Sequence, residues 1–81
     1  MRTIYLDDFT INGIIIEKEF RKKIKSLDWD KYVKQKVLIK GCTNAPVPTW
    51  AYLILATHLS QVADTVYYGE SCSLITVFKK P

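Results

Sequence analysis

The residues of this chain best suited to chemistry are its two cysteines, Cys42 and Cys72. Cys42 follows the apolar run Val37-Leu38-Ile39 and opens the stretch Cys-Thr-Asn-Ala-Pro-Val-Pro-Thr-Trp-Ala-Tyr, which leads into a long apolar helical pattern. Pro46 and Pro48 restrict the backbone between them. A strand, a stiff loop and a helix start, in that order, bring a side chain and unpaired backbone N–H groups to one place. The positive end of a helix dipole favours a thiolate, so Cys42 is a candidate nucleophile, redox switch or metal ligand. Thr43, Asn44 and Thr49 add hydrogen-bonding groups to the same loop. The plainer assignment is a small buried core cysteine, with the three polar residues capping the helix and tying the turn.

Cys72 lies three residues beyond a strand that closes at Gly69. If that strand and Val37-Leu38-Ile39 are parallel neighbours, both cysteines fall at the same sheet edge, as a dithiol or half of a metal site. Two sulfurs do not make a closed zinc site, which takes four ligands. His58 sits nine residues along the helix from Thr49, and at about 1.5 Å per residue it is remote from the loop. It reads as a solvent-facing or hydrogen-bonded histidine, and no metal or cofactor is expected. The sequence has no Gly-rich phosphate loop, HExxH, CxxC or nucleophile elbow. Asp7 and Asp8 are adjacent, so on a strand they point to opposite faces and cannot pair as acid and base. Trp29, Tyr32, Trp50, Tyr52, Tyr67 and Tyr68 can stack on bases, but a chain this small needs most of them for its core.

The elements that must position these residues follow from pattern. Thr3-Ile4-Tyr5-Leu6 is β-prone and stops at Asp7-Asp8. Asn12-Gly13 is a hairpin turn signal, which makes Ile14-Ile15-Ile16 the second arm, a strand buried on both faces. From about residue 18 to 27, Phe20, Ile24 and Leu27 mark one stripe of an amphipathic helix. Ser26 or Asp28 caps a further turn that carries Trp29, Tyr32 and Val33 inward. Residues 36–41 read as a buried strand. Thr49 is a natural N-cap for a helix over about 49–63, apolar around most of its circumference and so expected to be covered on more than one side. Thr65 to Tyr68 and Leu74 to Phe78 are the last two strands. The order β-β-α-β-α-β-β predicts a single small α/β domain over 1–81, with a mixed sheet and a parallel strand–helix–strand unit at residues 37–68. Open sheets of this kind bind ligands at the carboxyl ends of their strands, which points at the loop after Gly41. An anti-sigma-antagonist-like arrangement, with Thr43 or Thr49 as the regulatory hydroxyl, fits the same order of elements.

Eighty-one residues, 48% hydrophobic, support one small core and exclude a disordered tail. A core of this size leaves little stability in hand, so a protein partner or a homo-oligomer is expected. Of the 12 Lys and Arg residues behind the net charge of +4, nine fall between Lys18 and Lys40. Glu17–Arg21 and Glu19–Lys23 have helix ion-pair spacing. Lys18, Arg21, Lys22 and Lys25 form a basic surface that is either a solvated helix face or a weak nucleic-acid contact. No signal peptide or membrane span is evident, and two cysteines imply no disulfide scaffold, so the cytoplasm is expected.

Val47-Pro48-Thr49-Trp50-Ala51-Tyr52, preceded by Cys42 and followed by Leu53 to Leu59, resembles the bacterial domain of unknown function 2480 family. Leu6-Asp7-Asp8-Phe9, Gly13 with its isoleucines, Glu19-Phe20-Arg21, Asp28-Trp29 and Val66 to Gly69 fit that family in the same order, over most of residues 6–70. Ser71 to Pro81 departs from the acidic, helical continuation usual there, and the chain is shorter. The resemblance implies a cytoplasmic protein without an assigned activity, loosely associated with iron–sulfur assembly genes. The expected role is therefore a non-catalytic protein-binding or self-associating module. The alternative is a thiol-dependent or metal-related accessory protein that uses Cys42 with Cys72.

Overall fold

The computed structural model describes residues 1–41, 47–70 and 73–81. Its elements are β1 (Arg2–Tyr5), a 3-10 turn (Leu6–Phe9), α1 (Glu17–Ser26), a second 3-10 turn (Trp29–Tyr32), β2 (Lys36–Lys40), α2 (Thr49–Leu59), β3 (Thr65–Glu70) and β4 (Ser73–Lys79). The sheet order is β1-β2-β3-β4. β1, β2 and β3 are parallel, and β4 returns antiparallel to β3. The α/β class, the mixed sheet and the parallel unit over residues 37–68 are as the sequence leads one to expect.

Alternation along the strands sorts the core. Ile4, Val37, Ile39 and Val66 form one cluster with Phe20 and Ile24 of α1 and Ala51, Leu55 and Leu59 of α2. Both helices therefore pack on the same face of the sheet. Leu38 points the other way; it is 3% exposed yet lies outside that cluster, flanked on its rung by Thr3 and Tyr67. No described helix covers this outer face.

α1 carries Glu17 and Glu19 in its first turn and Lys23 and Lys25 in its last, which complements the helix dipole. It stops where Ser26 Oγ donates to the Lys23 carbonyl at 3.0 Å and Leu27 N–H turns back to the Ile24 carbonyl at 3.4 Å. Asp28 then accepts from Asp30 N–H and starts the second 3-10 turn. That turn buries Tyr32 and half-buries Trp29, but Val33 stays exposed. Val33 leaves the turn in an extended conformation, and Lys34 beyond it adopts a left-handed φ of 59°, so only the residues inside the turn reach the core.

The expected hairpin does not grow into the sheet. Asn12 and Gly13 have φ of 50° and 78°, the pair of left-handed residues that a tight hairpin turn requires. The only pairing is one antiparallel bridge, Ile11 to Ile14. Phe9 is still in a 3-10 turn and α1 begins at Glu17, so neither arm has room to extend. Ile15 is buried, whereas Ile14 is 62% exposed; a strand buried on both faces is not formed.

α2 ends at Leu59, shorter than the apolar pattern: Ser60 Oγ donates to the Thr57 carbonyl at 2.8 Å, and Gln61 N–H and Val62 N–H tighten onto the His58 and Leu59 carbonyls three residues back, at 3.2 and 3.0 Å. The helix is not covered all round, since Leu53 is 62% exposed. Lys34 N–H to Val62 O and Asp64 N–H to Gln35 O, both 2.9 Å, tie the start of β2 to the start of β3 and fix their parallel register.

β3 and β4 meet with a register shift: Val66 faces Phe78 while Tyr67 faces Thr76. Val77 is the extra residue of a bulge. Without it, alternation from Ile75 would turn Phe78 away from the helices; with it, Phe78 packs on the core. Gly69 has a φ of 123°, and a Cβ there would lie 2.5 Å from the Ser73 carbonyl oxygen. Gly69→Ala should therefore destabilise the fold by about 2 kcal/mol or more. At Gly13 a Cβ would meet nothing within 4 Å, so Gly13→Ala should cost only the backbone term, about 1 kcal/mol. Urea melts of the two variants check the order of these effects.

Candidate functional site

The junction between β2 and α2 is built by packing. α2 starts with Pro48 at the N-cap, φ −62° and ψ 143°, and without a side-chain cap bond. Thr49 is the first helical residue and is exposed, so it is not the cap that its type suggests. Proline in that position already has the extended geometry a cap needs, which moves the boundary back by one residue. Trp50 turns toward α1 and meets Phe20 edge-on, with centroids 5.6 Å apart at 76°. Ala51 is fully buried. Tyr52 turns the other way and meets Tyr68 of β3 at 5.0 Å and 83°.

The Tyr52 hydroxyl lies over Gly41, 2.6 Å from where a Cβ would stand. The residues flanking this junction therefore have structural duties: a cap, two ring contacts and a glycine that makes room. Cys42, Thr43, Asn44 and Cys72, the heart of the expected thiol site, lie outside the described residues. β2 and β3 are parallel neighbours, with Ile39 beside Tyr68, so the strand ends Lys40 and Glu70 lie at one edge of the sheet.

His58 is exposed and stacks on Trp29, 5.1 Å apart at 13°, a surface contact between α2 and the second 3-10 turn. Asp7 and Asp8 are exposed in the first 3-10 turn. Among the described residues, no group of three or more His, Cys, Asp or Glu side chains could hold a metal ion. No described helix is long and apolar enough to cross a membrane.

The basic segment divides into paired and open positions. Arg21 bonds Glu17 at 2.9 Å and Lys22 lies 3.6 Å from Glu19. Lys23 does not pair with Glu19; it reaches across to the Asp8 carbonyl at 3.0 Å, because its side of α1 faces the first 3-10 turn. Lys18 and Lys25 are exposed.

A cleft of about 410 Å³ beside β1 is announced by no sequence motif. Thr3, Ile4 and Tyr5 line one side; Lys23, Ser26 and Lys31 line the other. The β1–α1–β2 crossover joins residues some twenty positions apart, and no local motif announces it.

Gly41→Ala should force Tyr52 aside and destabilise the protein by about 1 kcal/mol. The loss should be smaller when Tyr52→Phe removes the hydroxyl first, which a double-mutant cycle by thermal or urea unfolding measures.

No curated protein matches the chain, and no solved structure matches it. The pattern of the family described as Protein of unknown function (DUF2480) matches residues 1–66 and 17–80. The likeness thus continues past residue 70 and through β4. The chain is a member of the Protein of unknown function (DUF2480) family.

Proposed function

We propose that this chain is a non-catalytic cytoplasmic module that associates with a second copy of itself through the free edge of β4. The carrying observation is the exposure of apolar residues on that edge strand: Ile75 is 59% exposed, Val77 51% and Leu74 36%. Of the apolar residues of β4, Phe78 packs on the core, and Leu74 to Val77 carries no charge. Natural edge strands are usually blunted by charge, proline or a bulge; here the bulge at Val77 and Lys79 protect only the far end. A second copy suits the edge better than an acidic or basic partner because the strand is neutral along its middle. Antiparallel pairing about a two-fold axis also sets the two Lys79 residues at opposite ends. Among the described residues, helices cover the parallel β1–β3 sheet on one face, an arrangement that favours further association.

Light scattering on the eluting protein should give the mass of a dimer at micromolar concentration. Ile75→Lys with Val77→Lys, at exposed positions, should give a folded monomer with an unchanged far-ultraviolet spectrum. A wild-type protein that stays monomeric at all concentrations contradicts the proposal.

A second reading, a thiol function of Cys42 with Cys72, draws support from the adjacency of parallel β2 and β3, which these cysteines follow in sequence. Alkylation of Cys42 that is fast near neutral pH would favour it, and ordinary slow alkylation would count against it.

A further inference from the structure

The cleft beside β1 combines three features. The first is an open strand edge. β1 is the other end of the sheet, so alternate backbone N–H and C=O groups of Arg2–Tyr5 have no strand partner on that side. The second is a side-chain-sized hollow. Its volume of about 410 Å³ falls in the range of small-ligand pockets, and Ile4, Phe9 and Leu27 give it an apolar floor.

The third is charge. Lys23 and Lys31 line the cleft against one carboxylate, Asp8, which leaves +2 − 1 = +1. Lys23 is held in place by its bond to the Asp8 carbonyl, and an ammonium group with one bond made has further protons to donate. Two of the C-terminal carbonyls of α1, which would repel an anion, are already engaged. The Lys23 carbonyl accepts from Ser26 Oγ, and the Ile24 carbonyl accepts from Leu27 N–H and Trp29 Nε1 at 3.4 and 3.1 Å.

We propose that this cleft binds an extended acidic peptide, which adds as a strand to β1 and sets a carboxylate side chain between Lys23 and Lys31. The open ladder recognises a peptide backbone, the hollow takes one side chain, and the ammonium groups select its charge. The surface differs from the β4 edge and takes a partner of different chemistry. A second copy of this chain is a poor occupant here, since it would bring a net charge of +4 against a basic cleft.

The probe is the synthetic peptide acetyl-Val-Glu-Val-Glu-Val-Thr-amide, titrated into the full 81-residue chain and followed by backbone amide NMR. Shifts should concentrate at Arg2–Tyr5 and at residues 23–32. The peptide with glutamine in place of both glutamates should bind about tenfold more weakly. Lys31→Gln, an exposed position that leaves the fold intact, should weaken the glutamate peptide and not the glutamine one. Shifts confined to β4, no shifts at millimolar peptide, or equal binding of the two peptides would overturn the proposal. Glutarate binding as tightly as the peptide would overturn the strand addition, because glutarate has no backbone to extend a ladder.

Discussion

Three rings meeting at Phe20 hold this protein together. Phe20 is fully buried, and its ring lies 5.1 Å from Phe9 and 5.6 Å from Trp50. Those partners belong to separate stretches of chain: the turn after β1 and the start of α2. A parallel β1–β2 pair cannot be closed by a short turn; its connection must cross the sheet and pack there. Phe20 is the point at which that crossover is pinned to the next one. Because the helices lie on one face only, the layer between them and the sheet is the main apolar core, and Ile4, Val37, Ile39 and Val66 are buried only while Phe20 keeps α1 seated over them.

Elements defined by strong local periodicity could be read from the sequence. The Phe20–Ile24 stripe, the buried run of β2 and the strand–helix–strand unit all have patterns that their neighbours reinforce. What was not legible depends on competition between local and distant partners. Asn12-Gly13 makes the turn its chemistry requires, yet the strand it promises is replaced by entry into α1 four residues later, and β1 takes β2 as its neighbour. Thr49 has the type of a cap, but Pro48 before it already supplies the backbone shape. Val33 has the right spacing to turn inward, but the single 3-10 turn ends before it.

The site was legible to a different degree. The sequence singles out the stretch from Cys42 to Tyr52 by its composition, and packing accounts for its described end: Pro48 caps, Trp50 and Tyr52 make ring contacts, and Gly41 gives the Tyr52 hydroxyl its space. The cleft beside β1 left no such trace. Its lysines belong to a segment whose basic residues also face solvent, and Phe9 and Tyr32 in its lining are typical core residues. Only the crossover, which lays the end of α1 alongside β1, turns them into one surface.

The strand pairings span very different distances along the chain. Glu70 finds Ser73 three residues away, whereas Arg2 waits for Val37, thirty-five residues on. Closing a long loop before any contact rewards it is slow, and short-range pairings form ahead of it. The β3–β4 hairpin is thus the natural starting point of assembly, and β1 is the last strand to be captured. On the ribosome the order of synthesis runs opposite to the order of folding. β1 is made before β2 and must remain unpaired until β2 has emerged behind it, so among the described strands it waits longest for its partner.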